Sequence, residues 1–151
     1  MASRSTEHAT FVIERQLAAP VERVFAAWTD ADKKRRWFAC HDDWNTVEFQ
    51  LDFRVDGTES NTVVRPDGVR HTFKARFLDI VPQQRIVYAY DMHIGDARIS
   101  VSLVTVVFEA GLKKTQMTFT EQVVFLDGHG DPQERREGTE IGLARLDAEL
   151  R

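Results

Sequence analysis

The chain holds a single cysteine, Cys40. No intrachain disulfide can form, so a reducing, cytoplasmic setting is expected. A basic excess is also missing. The formal net charge is −4, which speaks against a nucleic-acid partner, since such a partner calls for a basic face. No uninterrupted apolar run reaches membrane-spanning length, and the opening MASRSTEHAT has no apolar stretch of the signal-peptide kind. Neither membrane insertion nor secretion is therefore expected. Internal repeats, low-complexity segments, a glycine-rich phosphate loop and a GxSxG nucleophile turn are all absent. The acids and glycines of DGHGD, Asp127 to Asp131, lack the ligand spacing of a calcium loop and read as a lead into a helix cap.

What is present suits one domain. The 151 residues are enough to bury a sizeable core, and ten phenylalanines among them call for one rich in flat rings. The domain is expected over residues 10–151, with 1–9 as a flexible tail. Lys33-Lys34-Arg35-Arg36 is the one dense basic run, and a solvated helix face is its expected place.

Periodicity supplies the elements. A first strand is predicted over Thr10 to Leu17. Val21, Val24, Phe25 and Trp28 then recur at i, i+3, i+4 and i+7, the stripe of a short helix opened by Pro20. Asp30 caps a second short helix through about Arg36, plugged by Trp37 and Phe38. In VEFQLDFRV, Val47, Phe49, Leu51, Phe53 and Val55 alternate with polar residues, predicting a strand with one buried face. Turns at Asp56-Gly57, Pro66-Asp67-Gly68, Pro82-Gln83-Gln84, Ile94-Gly95-Asp96 and Ala110-Gly111 separate five further strands, and such short connections imply an antiparallel meander. Asp131-Pro132 with Glu134 opens a long C-terminal helix, whose Thr139, Leu143, Leu146 and Leu150 share a face. The fold class is α+β, with the long helix covering the bare face of a curved sheet.

That helix raises the question of a pocket. Gly138, Thr139 and Gly142 lie on or beside its inner face in the first half, and leucines fill the second. Small groups at one end would leave the helix standing off the sheet. Alternatively, the glycines permit close packing beneath it; glycine costs about 1 kcal/mol in a helix interior and needs some such reason. Alternation places Phe73 and Phe77, then Tyr88, Tyr90 and Met92, then Met117, Phe119 and Glu121 toward the helix. On the sixth strand both parities are apolar, and its inner face stays open. Glu121 on an apolar face must be paired, protonated or wet. Its expected role is as partner of Arg98, Arg135 or Arg136 at a cavity mouth, with catalysis as the alternative.

The segments FVIERQLAAPVERVFAAWTDADKKRRWF, PDG, ARFLDIVPQQRIVYAYDMH and REGTEIGLARL together resemble the START/Bet v 1-like (SRPBCC) superfamily. More narrowly, they resemble the single-domain proteins grouped with the C-terminal domain of the Hsp90 ATPase activator (AHSA1-like). The resemblance runs from about Thr10 to Leu150. It implies a helix-grip fold, a seven-stranded antiparallel sheet wrapped on the C-terminal helix around a cavity, in a family whose relatives bind lipids, steroids or aromatic polyketides or act as cyclases. A place in a stress response also follows from the chaperone connection. Two positions depart from the pattern: Val55-Asp56-Gly57 replaces a Val-Gly-Gly turn, and Thr139 stands where a tryptophan often follows REG. The second change should enlarge the space under the helix.

The remaining polar clusters carry little chemistry. In YAYDMHIGD, Asp91 and His93 fall on the parity opposite to Tyr88, Tyr90 and Met92, and Asp96 falls in the turn. No three or four ligands converge, so no metal and no cofactor is expected. CHDDW, Cys40 to Trp44, reads as a loop near the cavity mouth rather than a nucleophile with its base, because adjacent side chains diverge. Three functions remain open. The first is binding of a small hydrophobic or aromatic molecule by Phe73, Phe77, Tyr88, Tyr90, Met92, Met117, Phe119, Glu121, Gly138, Thr139 and Gly142. The second is a cyclase- or hydratase-like enzyme using Glu121 as acid/base. The third is a chaperone-interacting domain. Edge strands leave a homodimer open as well.

Overall fold

In a computed structural model, residues 4–38 and 43–151 are described. The chain runs β1 (Thr6–Leu17), α1 (Val21–Thr29), α2 (Ala31–Phe38), β2 (Asn45–Leu51), β3 (Thr58–Val64), β4 (Arg70–Val81), β5 (Arg85–Ile94), β6 (Ala97–Ala110), β7 (Thr115–Leu126) and α3 (Pro132–Glu149). All seven strands form one antiparallel sheet in the order β1-β7-β6-β5-β4-β3-β2. Only β1 is out of sequence order, because α1 and α2 carry the chain from one edge of the sheet to the other.

β1 begins four residues ahead of the expected Thr10. Thr6 to Ala9 pair with Leu126 to Val123, and Asp127 accepts the Ser5 backbone N–H at 3.0 Å, so Thr6 to Ala9 of the expected tail are strand. The expected caps are in place. Lys33 N–H donates to Asp30 Oδ1 at 3.1 Å, and Gln133 N–H donates to Asp131 Oδ1 at 2.9 Å. The Val55-Asp56-Gly57 turn takes its strain at Asp56, whose φ is +67°, a conformation aspartate tolerates. Glycine is required next to it, since a Cβ on Gly57 would stand 2.2 Å from the Asp52 carbonyl oxygen.

Two expectations fail. β2 stops at Leu51, a bulge interrupts its pairing between Thr46 and Glu48, and Val47 and Val55 are half exposed (49% and 48%). β2 is an edge strand, so nothing lies beyond it to cover the ends of its apolar row. The basic run is not a solvated face throughout. Lys34 is fully buried, and its Nζ donates to Glu59 Oε1 on β3 at 2.5 Å. The Phe38, Trp28, Tyr88 and Phe77 rings stand 4.6, 5.3, 5.7 and 5.8 Å from that ammonium. Lys34 lies one helical turn from Trp37, on the same side of α2, and is carried inward with it.

The sixth-strand ambiguity resolves through register. Tyr88, Tyr90 and Met92 pair with Val104, Ser102 and Ser100, so the even-numbered residues of β6 face the helix. Val101 and Leu103 face outward, 40% and 38% exposed. A shift in register between Met92 and His93 lets Ile99 be buried as well.

Candidate functional site

Beneath α3, from its first turn as far as Arg145, lies a cavity of about 530 Å³, within the range that holds a small organic ligand. Gly138, Thr139 and Gly142 line it, and a Cβ built on either glycine would meet nothing within 4 Å. The glycines therefore stand over open space, and the close-packing alternative does not hold. Leu143, Leu146 and Leu150 are buried and hold the second half of the helix down. Asp131, Glu134 and Gly138 line the cavity and are solvent-exposed, which places its mouth along the first turns of α3.

The sheet supplies aromatic walls. Phe73, Tyr88, Tyr90, Met92 and Phe119 line the cavity as expected, and Phe73 stacks at a tilt on Tyr90 at 4.6 Å. Phe38 meets Phe73 edge-on at 4.9 Å and closes the side toward α2. Alternation also left out several lining residues. The sequence pattern shows Trp37 and Phe38 only as a helix plug, Ile99 depends on the β6 shift, and Phe125 lies at the end of β7. His71 and His129, far apart in sequence, reach the same cavity. Among the described residues, no three His, Cys, Asp or Glu side chains converge as metal ligands. Cys40 to Asp42 lie outside the described residues, while Trp44, from the same CHDDW stretch, lines the cavity beside His71.

Phe77, Met117 and Glu121 do not line it. Phe77 is packed on Phe53 at 4.8 Å, and Met117 pairs with Phe108, which itself meets Phe25 and Trp28 of α1. Both lie at the end of the sheet that α1 fills.

Glu121 sits behind the wall, 1% exposed. Its Oε2 accepts from Tyr90 Oη at 2.6 Å, Ser102 Oγ at 2.8 Å and Arg135 Nη1 at 3.3 Å. Arg135 donates further to Tyr90 Oη at 2.9 Å and Ser100 Oγ at 2.7 Å. Of the three arginines considered as partners, Arg135 is the one that reaches Glu121. Arg98 pairs with Asp91 on the outer face and Arg136 with Glu140. Burial first, then the Glu121 charge, pushes the Tyr90 hydroxyl well above the ordinary tyrosine range. Burial also raises Tyr88. Neither ionises near neutral pH; each stays a protonated ring in the wall.

A seven-stranded antiparallel sheet with two helices after β1, a long C-terminal helix across it and a cavity between defines a helix-grip domain of the SRPBCC kind. The sequence matches the family described as Activator of Hsp90 ATPase homolog 1-like protein over residues 18–151, and the chain belongs to that family. Its similar solved structures include an uncharacterised protein of Rhizobium leguminosarum. That protein is 55% identical with a TM-score of 0.95, and the match covers 99% of this chain and 98% of the other. A protein of Rhizobium loti is 42% identical with a TM-score of 0.90, covering 97% and 99%. An AHSA1-like protein of Aeromonas hydrophila, at 22% identity and a TM-score of 0.72, covers 94% and 92% and shares the fold. No curated protein matches. Among the described residues, no helix is long and apolar enough to cross a membrane.

Proposed function

We propose that the chain binds a small hydrophobic or aromatic molecule in the cavity between the sheet and α3. The observation that carries this reading is the empty volume under Gly138 and Gly142, bounded by Phe38, Phe73, Tyr88, Tyr90 and Phe119. Ring faces offer large apolar contact at little entropic cost, and displacing water from such walls drives association. Glu121 is a support in this account: three donors hold one of its oxygens, and it lies behind Tyr90 rather than beside a guest. Native mass spectrometry of freshly purified protein, with extraction of whatever co-purifies, tests the proposal. A bound small molecule, or a thermal shift with apolar aromatic compounds, supports it. A ligand-free spectrum with no shift across a broad panel of such compounds removes it.

A second reading has one observation in its favour. Val101 and Leu103 on β6 are exposed on the outer sheet face, beside Ala89 and Val124 on the neighbouring strands, and exposed apolar patches mark interaction surfaces. The family's name carries activation of an Hsp90 ATPase. This chain would then act on a chaperone through that face. Stimulation of an Hsp90-type ATPase, lost in Leu103→Asp, supports this reading; no stimulation by the unaltered protein ends it.

A further inference from the structure

The cavity has two arginines, and they differ in what they can offer. Arg135 is spent: Glu121 neutralises it, and Tyr90 and Ser100 occupy its donors. Arg145 lines the same cavity, is partly buried, and has no hydrogen bond or ion pair among the described residues. Its helical neighbours at i−4, i−3 and i+3 are Ile141, Gly142 and Ala148, none of which can pair with it. The remaining neighbour, Glu149 at i+4, is held by Arg36 at 3.1 Å. A guanidinium carries five donors in a planar fork that matches a carboxylate. Left unpaired beside apolar walls, those donors and that charge are open to a ligand.

The opposite end of the cavity has the other sign. Asp131 and Glu134 line it at the start of α3, and Glu134 lies eleven residues before Arg145, about 16 Å along the helix. An anion is therefore drawn to one end and repelled from the other, which sets the direction in which a guest lies.

Resting on the binding reading above, we infer that the guest is an amphiphile with one carboxylate, seated on Arg145, and an aromatic or aliphatic body among the rings beneath α3. Its uncharged end points toward Asp131 and Glu134. Long-range attraction contributes little, because the chain as a whole is acidic; the recognition is local to the fork.

The test uses Nile red, an uncharged apolar dye, as reporter in the cavity, displaced by naphthalene carboxylate or by its methyl ester. The proteins are the unaltered chain, Arg145→Gln and Arg145→Lys. In Arg145→Gln, the carboxylate is expected to need about five- to tenfold more to displace the dye, the scale of one charge-assisted hydrogen bond at a partly exposed site. The ester changes less than about twofold, and Arg145→Lys keeps part of the preference because the charge remains. If acid and ester weaken together, Arg145 is only a wall and the inference falls while cavity binding stands. If the acid is unaffected by Arg145→Gln, the inference falls likewise. If neither the dye nor either competitor binds the unaltered protein, the binding reading fails and the inference with it.

Discussion

Replacing Gly138 and Gly142 by alanine should stabilise this protein. Each glycine lies inside α3, where alanine is favoured by about 0.8–1.0 kcal/mol. In most packed helices that gain is cancelled by what the new methyl group strikes. Here a Cβ at either position meets nothing within 4 Å, so the propensity term stands alone. The pair should contribute about 1.6–2 kcal/mol, which for a chain of this length raises Tm by about 3–8 °C. Thermal unfolding followed by circular dichroism measures it. The larger substitution Gly142→Leu should keep most of the gain, since leucine is nearly as good a helix former, yet push its side chain into the volume a guest needs. Binding of Nile red should then fall sharply with no loss of Tm. Close packing would give the opposite sign, because forcing methyl groups into a filled interface costs about 1–3 kcal/mol. A double alanine variant less stable than the parent would refute the cavity argument at its root.

Further outcomes follow from the buried groups. Tyr88 and Tyr90 are the only tyrosines in the chain, and both hydroxyls are raised by burial. The folded state then holds protons that the unfolded chain releases near pH 10, so stability falls as pH rises through that region. Tyrosinate absorbance should be missing from folded protein at about pH 11 and appear only with cooperative unfolding; a reversible titration near pH 10 in folded protein would count against the buried wall. Lys34→Met should cost about 3–5 kcal/mol at neutral pH, because it strands a buried carboxylate, and Lys34→Met with Glu59→Leu should recover most of that. Burial already raises the Glu59 carboxyl against the pull of Lys34. Without the lysine it should bind its proton more readily still, so the Lys34→Met deficit should shrink as pH is lowered toward 5 in urea unfolding. A deficit independent of pH would show that Glu59 does not carry the cost.

Much of the fold could be read from alternation and turn chemistry, because each strand of the meander buries one face and short turns admit few connections. The face of β6 could not, since Val101 and Leu103 are as apolar as Val104 and Val106; only register against Tyr88 and Tyr90 decides it. The burial of Lys34 is masked in the sequence by the charge run around it, although its spacing from Trp37 places it on the buried side of α2. For the site, parity identified the correct face at Phe73, Tyr88, Tyr90, Met92 and Phe119 but not the position along the strand. Phe77 and Met117 have the right parity and lie at the end that α1 fills. Which end stays hollow depends on contacts between distant segments, and a local pattern does not contain them. The small residues of α3 were the one local signal of the hollow end, since a helix cannot fill space with side chains it lacks.

Two buried ion-pair clusters border the cavity, each behind a tyrosine. Tyr90 covers Glu121, Ser102 and the inner donors of Arg135. The Lys34–Glu59 pair lies behind Tyr88 and Phe38, which face the cavity from the other side. Buried ion pairs contribute little net stability, but removing one partner is costly, so they fix the elements that carry them. One such pair ties α3 to β7, the other α2 to β3. The walls are thus held apart by bonds behind them rather than by contact across the hollow, which is what a cavity needs if it is to stay open without a guest. The same arrangement argues against acid/base chemistry by Glu121. The hydroxyls of Tyr90 and Ser102 and an Arg135 N–H all converge on one of its oxygens, and the cavity meets the Tyr90 ring instead. A reaction would have to take its proton from a group behind that ring, whereas a guest meets directly the apolar faces that those bonds hold in place.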